Sequence, residues 1–542
     1  MKRLSLLLSV ALASFAAACS SGGSGVQPPP PTGNFTLASL KGNYAFSMVG
    51  EDINGGFITR VGSFIADGNG GITSAFEDLI DTSTGTITTV AFTQPGTYSI
   101  SANGKGTMTF QTAAGTGLVL SIVLSAAAPA GQGLMIETDP VTAINATSSG
   151  SFSQQNTAIF TTPFAASNYV FDFSGLDASG APVSFVGEVQ INAGGVVGGG
   201  TFDRNDASIS TDPSGPLPIV SGGSYTADPV NNATYGRSTI TFNGLSYAIY
   251  PVDQTHAKVL ETDGLALTSG DLFEQTGTIP SQNSAFTTSF VYLVGGTSFN
   301  SSNTFALTRA GSFLPDGNGT LTTSAIRYDQ NNNGTHLCVD SGDSACAASA
   351  VGAYVIGTGT NFTVGRGTLS LSQITGQSAT ISDVFYFISP NSFVIQDTSS
   401  SVVADGTMAT QSGTFTASAL AGNYIFNLSG QVLGTSGFEE DFVGFYALSS
   451  STSNNITGVS DFVELGSSSN RPPAFINEAI SGTLQINGDG TKRNGYQINI
   501  TGTSPSPQIN FIAYIASPQQ VFLIGTGSNR VTAGMAVFQP TP

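Results

Sequence analysis

Two acidic pairs in this chain have a spacing that could do chemistry. Glu137-Thr138-Asp139 and Glu261-Thr262-Asp263 each set two carboxylates two residues apart. On a β-strand that spacing puts both on one face, within the separation glycoside hydrolases use. Facing a barrel interior, such a pair would point to function, because burying unpaired carboxylates is costly. The matching stretches further along, Gln396-Asp397 and Gly525-Thr526-Gly527, lack the pair. Strand-end solvation or turn capping therefore accounts for it more simply than catalysis, with contact to a ligand or cation as the intermediate reading. A second candidate is a calcium loop. Asp329, Asn331, Asn333 and Asp340 fall at positions 1, 3, 5 and 12, with Gly334 at 6, the spacing of a loop whose glycine makes the sharp turn. Two asparagines, and aspartate rather than glutamate at twelve, predict weak binding. No flanking helices are evident, which excludes an EF-hand, and an asparagine-rich polar loop is the alternative. Cys338 and Cys346 share the same segment and predict a disulfide outside the cytoplasm, closing a short loop and adding about 2–3 kcal/mol. His336 beside them reads as a loop histidine.

The rest of the chain narrows the chemistry. It holds two histidines and no tryptophan, so a Ser-His-Asp site cannot recur along it and no His/Cys cluster offers zinc a home. A sugar-stacking platform would have to use tyrosine or phenylalanine. No catalytic residue is assigned and no cofactor is expected beyond weak calcium. The sequence reads as non-enzymatic. Lysine and arginine number 15 against 34 acidic residues, a net charge of −19, which disfavours nucleic acid and anionic membrane faces as partners. Only 9% of residues are charged, against roughly 25% in ordinary domains. Ser, Thr, Asn and Gly take their place, as in secreted β proteins.

The elements that would position these residues repeat four times. An aromatic-x-aromatic strand ending in glycine begins at Tyr44, Tyr169, Phe290 and Tyr424, at spacings of 125, 121 and 134 residues. Each copy closes on a glutamine, read as Gln154, Gln275, Gln411 and Gln539. About 120 residues can bury a core of their own, so the repeat is a domain and not a solenoid unit. Period-two alternation of Tyr44, Phe46 and Met48 predicts a half-buried strand. Asp67-Gly68-Asn69-Gly70, repeated as Asp316-Gly317-Asn318-Gly319 and later as Asn487-Gly488-Asp489-Gly490, predicts tight hairpins. Eight or nine short strands per copy give an all-β fold of four tandem antiparallel meander β-barrels, with a β-sandwich as the alternative. A second shared element, Gly104-Lys105-Gly106, Gly236-Arg237-Ser238 and Gly365-Arg366-Gly367, predicts a turn cation pairing with a nearby carboxylate. Glu439-Glu440-Asp441 reads as a solvated acidic patch. The expected divisions are a signal at 1–18, a tether at 19–34, and β repeats at 35–156, 157–278, 279–413 and 414–542.

The N-terminus has a basic start, Met1-Lys2-Arg3, then an apolar stretch from Leu4 to Phe15 too short to span a bilayer as a helix. Ala16-Ala17-Ala18-Cys19 resembles a bacterial lipoprotein signal, which implies lipidation of Cys19. Ala16 departs from the large aliphatic residue usual there, and cleavage after Ala18 to give a secreted protein is the alternative. Ser20 resembles the outer-membrane sorting pattern. The Gly/Ser stretch and Pro28–Pro31 then form a spacer, flexible followed by stiff.

Together these features resemble bacterial surface lipoproteins built from tandem lipocalin-like or avidin-like meander domains, over residues 35–542. The resemblance implies a lipid-anchored protein of the outer membrane or cell surface. Its partner would be a surface ligand, glycan or protein, and its role binding, adhesion or spacing. A carrier of a small apolar ligand is the first alternative, with Phe46, Phe171, Tyr292 and Phe426 lining the barrels. An extracellular polysaccharide hydrolase using Glu137 and Glu261 is the second. The segment 329–346 and the loop from Asp212 to Pro218 are where function is expected to lie.

Overall fold

The computed structural model describes residues 34–540, apart from 115–116, 127–130, 140–145, 162–163, 210–214, 301–302, 358–364, 378, 414, 435–437, 451–453, 466–473, 488–492 and 502–507. The signal, most of the tether, Cys19, the Gly488–Gly490 turn and the start of the Asp212 loop lie outside the described residues. Among the described residues no helix is long and apolar enough to cross a membrane.

Each repeat is an antiparallel meander whose first strand pairs with its last. In the first, Lys41–Asp52 pairs with Phe57–Asp67 on one side and Ala146–Gln154 on the other. The fourth closes as an eight-stranded barrel. In the first, the strand Gly71–Asp81 splits its pairing: Gly71 and Ile72 meet the strand Gly96–Ile100, while Ala75 to Asp81 pair with an added strand, Thr86–Phe92. The second and third repeat this split with isolated bridges at the junction, Val196 with Ser224 and Thr320 with Ala353. Val197 N donates to Gly223 O at 2.8 Å, and Leu321 N to Gly352 O at 3.0 Å. In these three repeats a hairpin therefore flares from one end of the barrel and opens its mouth. The third repeat's flare is Arg327–Asn332 with Thr335–Val339. The architecture is the barrel of the two expected alternatives.

Period-two alternation fills the interiors. Tyr44 stacks on Phe64 at 5.1 Å, and Phe46 lies 5.8 Å from Phe110. Such cross-strand aromatic pairs are the unit of sheet stabilisation. The turns behave as read: Asp67 Oδ1 accepts from Asn69 N at 2.6 Å and Gly71 N at 2.9 Å, with Gly68 at φ 83°. Asp316 receives the same bonds from Asn318 and Thr320.

The outer faces of the first strands are also buried, because the four barrels form a closed ring. The first two strands of each repeat pack against the last three of the next, and those of the fourth pack against the last three of the first. Ala45, Val49 and Val61 meet Ala248, Tyr250 and Leu260. Val170 and Val186 meet Val384, Tyr386 and Val394. Val291 and Leu293 join Phe522 and Ile524, and Ile425 and Val443 join Val123 and Ile136. One heterologous interface, used four times, closes into a ring when its rotation allows.

Candidate functional site

The turn cations are the centre of this interface, and their carboxylates belong to the neighbouring repeat. Arg237 Nε and Nη2 donate to Asp78 at 2.8 and 2.7 Å, and Tyr250 OH donates to the same carboxylate at 2.6 Å. Arg366 and Tyr386 hold Asp203 at 2.7, 2.7 and 2.6 Å. Arg493 and Tyr514 hold Asp329 at 2.7, 2.8 and 2.5 Å. Bidentate arginine–carboxylate pairs of this kind are charge-assisted and geometrically specific. Each links one repeat to the next. Lys105 closes the circle by pairing with Asp461 of the fourth repeat. It is the weakest clasp, with a point charge in place of a fork and Val123 where the others place tyrosine.

The closing glutamines are hooks of the same interface. Gln275 Nε2 donates to Phe387 O at 2.9 Å, Gln411 to Ile515 O at 3.0 Å, and Gln539 to Leu124 O at 2.5 Å and Asn103 O at 2.9 Å. In the first repeat this role falls to Gln155, which donates to Pro251 O at 2.8 Å, and not to Gln154, which bonds Lys41 O within its own repeat. The glycine before the cation makes room for the hook. Gly104 and Gly365 have φ of 84° and 111°, and a Cβ there would meet Gln539 and Gln275 at 2.7 and 2.5 Å.

Acidic groups gather along these interfaces. Glu439-Glu440-Asp441 is not a solvated patch, because Glu440 and Asp441 are fully buried. Glu440 faces the barrel interior and accepts from Arg530 at 2.7 Å. Asp441 accepts from Thr147 of the first repeat at 2.8 Å. Burial pushes Asp441 up to about 7 and Glu51, across the same seam, up to about 8. Between the second and third repeats, burial followed by the nearness of Asp405 raises Asp172 well above the carboxylate range, and burial raises Asp405 to about 7. These acids release their protons at higher pH in the folded ring than ordinary carboxylates do. Asp271 runs the other way: Lys258 at 3.0 Å and His256 at 2.7 Å overcome its burial and hold it at about 2.

The acidic pairs do face inward. In the first barrel Glu137 accepts from Ser148 at 2.8 Å and lies 3.6 Å from Arg60, which also meets Glu77 at 2.8 Å. Asp139 accepts from Val119 N and is pushed up to about 8 by burial and then by Glu137. In the second barrel Glu261 accepts from Ala266 N at 2.6 Å and Thr268 at 2.9 Å, and rises to about 8 with burial. Asp263 receives Ser246 N at 2.5 Å and Leu265 N at 2.9 Å. The second pair is thus engaged by its own barrel, whereas in the first Glu137 Oε1 and Asp139 Oδ2 are buried without a hydrogen-bond partner among the described residues. Phe46, Phe171, Tyr292 and Phe426 are buried in the apolar cores of their barrels.

The structure does not bring the calcium set together. Asn333, at φ 49°, and Gly334 form the turn of a hairpin in place of a calcium loop. Asp329 is spent on Arg493, Tyr514 and His336, the last at 2.7 Å. Asn331 Nδ2 lies 3.0–3.1 Å from three carbonyls of the fourth repeat, those of Gly525, Gly527 and Arg530, which share its two hydrogens. Asp340 pairs with Arg327 at 3.0 Å. Cys338 and Cys346 are joined by a disulfide on the outside of this hairpin, so Cys338 offers no thiolate to the Asp329–His336–Cys338 cluster. The inner face of the same hairpin walls an open pocket of about 520 Å³ at the mouth of the third barrel. Its floor is Arg309, which donates to Gln330 at 2.9 Å and pairs with Asp397.

No family model and no curated protein matches this chain. Among solved structures, a double mutant of transferrin binding protein B from Haemophilus parasuis aligns over 76% of this chain and 82% of its own, at 9% identity and a TM-score of 0.19. Isotype 1 transferrin binding protein B from serogroup B Neisseria meningitidis aligns over 75% and 84%, at 9% identity and a TM-score of 0.20. Scores this low carry no argument about what the present chain does.

Proposed function

We propose that this chain is a non-enzymatic protein of the bacterial surface, anchored through lipidated Cys19, whose four barrels act as one rigid ring for binding, adhesion or spacing. The observation that supports this reading is the clasp repeated around the ring. Three bidentate arginine–aspartate pairs and one lysine pair, each backed by a glutamine hook, fix the barrels relative to one another. Cyclic repetition of one interface gives corresponding loops equivalent places around the ring. Loops held in fixed register suit multivalent contact, because the first engagement raises the effective concentration of the next. The proline-containing spacer before residue 34 would hold this body off the membrane.

Metabolic labelling with an alkyne analogue of palmitate tests the anchor. Label on the wild type, lost in Cys19→Ala along with membrane pelleting and protease sensitivity on intact cells, is the expected result. Unlabelled wild-type protein in the medium would favour the secreted alternative. The carrier reading keeps one point of support, the open mouth of the third barrel.

A further inference from the structure

We infer that the mouth of the third barrel binds a neutral polyhydroxylated ligand, of the class of a mono- or disaccharide unit. The inference rests on the proposed role as a surface-binding protein and says what one of its sites would take. The pocket, about 520 Å³, falls within the roughly 300–1,000 Å³ of small-ligand sites. Its chemistry selects against charge. Arg309 sits at the floor with its side chain 5% exposed, and its charge is already met by Asp397, which is fully buried. Its Nε is taken by Gln330, which also accepts from Tyr328 OH at 2.7 Å. An anion entering the mouth finds a neutralised arginine within an acidic chain.

One lining residue carries a polar atom without a partner. Gln377 lines the pocket, and its Oε1 is buried with no donor among the described residues. A buried acceptor left this way costs about 1–3 kcal/mol until something donates to it. Asn332, which also lines the pocket, uses its Oδ1 to accept from Ser298 at 2.9 Å, which leaves its amide hydrogens for another acceptor. One group thus asks for a donor and the other for an acceptor. A hydroxyl is both, whereas a carboxylate or phosphate cannot satisfy Gln377 and an ammonium cannot satisfy Asn332. Phe305 and Leu337 on the inner wall supply the apolar surface on which a sugar ring can lie. The disulfide-bonded hairpin that forms this wall is fixed from behind by the clasp to Arg493, so this wall is held in shape before any ligand arrives.

Saturation-transfer NMR on the full chain tests this with maltose, lactose, cellobiose and N,N′-diacetylchitobiose, and with glucose 1-phosphate and glucosamine as charged controls. At least one neutral disaccharide should receive saturation and bind more tightly than either charged control. Gln377→Leu and Asn332→Ala should each raise its Kd about tenfold, the equivalent of one hydrogen bond of about 1.4 kcal/mol. Ala379→Trp should abolish binding; Ala379 is an exposed lining residue, so the melting temperature should not move. Silence from all four neutral disaccharides, preference for a charged control, or a signal that survives Ala379→Trp would overturn the inference. Palmitate labelling of Cys19 stays the same in every one of those outcomes, so failure here is distinguishable from failure of the surface reading.

Discussion

Removing Asp203 should cost far more than an ordinary ion pair. Its carboxylate takes two hydrogen bonds from Arg366 and one from Tyr386, and both charged side chains are 6% exposed. Asp203→Ala takes the bidentate carboxylate from a buried guanidinium and the 2.6 Å acceptor from the tyrosine hydroxyl. Breaking a buried pair from one side costs about 3–5 kcal/mol, whereas an exposed pair is worth about 0–1 kcal/mol. If the ring melts as one body, an unfolding entropy of about 2.1 cal/mol/K per residue over roughly 500 residues turns that loss into a fall of about 3–5 °C in the calorimetric midpoint. The double variant Asp203→Leu with Arg366→Met should recover most of it, because a well-packed apolar replacement removes the desolvation cost along with the pair. The coupling is read from the complete cycle. A fall below about 1 °C for Asp203→Ala, with no coupling to Arg366, would mean that the second and third barrels do not meet as described, and the reasoning would fail.

The remaining expectations follow the same interfaces. Lys105→Met should loosen only the seam between the fourth and first repeats, and hydrogen exchange should report earlier opening of the Gln132–Glu137 strand than of its counterpart His256–Glu261. Stability should fall as pH rises from about 5 to 8.5. Glu51, Asp405 and Asp441 have folded values of about 7–8, so through that window the folded ring binds more protons than the unfolded chain. Melting midpoints across pH measure this, and a midpoint that climbs over the same range would contradict it. Below about pH 4 the slope should reverse as Asp271, held at about 2, takes up its proton. Cys338→Ser with Cys346→Ser should cost about 2–3 kcal/mol, the value of closing a short loop, read as faster proteolysis within 335–350 while the first repeat is unchanged.

Much of this molecule was legible in its residues. Aromatic alternation at Tyr44, Phe46 and Met48 encodes the inward face, and the Asp-Gly-Asn-Gly turns encode the hairpins, because both depend on local geometry alone. The shared Lys105, Arg237 and Arg366 indicated a pairing, but a motif names the cation and not a carboxylate 159 or 163 residues away. Ring closure was harder to see. Its signal was the outward row Ala45, Val170, Val291 and Ile425, apolar in all four copies, since a strand apolar on both faces is covered on both. The Asp329 loop misled for a physical reason: calcium-loop spacing and an Asn-Gly hairpin share their residues, and the hairpin prevailed because strand pairing uses the backbone and the clasp uses the carboxylate. The acids at 439–441 misled because a charge run looks solvated until a neighbouring barrel covers it. The third barrel's mouth depends on a flared hairpin, which no local pattern announces.

Small-angle scattering from a soluble form beginning at Asn34 tests ring closure most directly. A compact body of that length has a radius of gyration of about 23–24 Å, and the account predicts a value close to it, unchanged across salt concentrations because the clasps are buried. A value above about 30 Å, as for four compact barrels strung in line, would show that Lys105 and Asp461 do not meet in solution and that the closed ring is wrong.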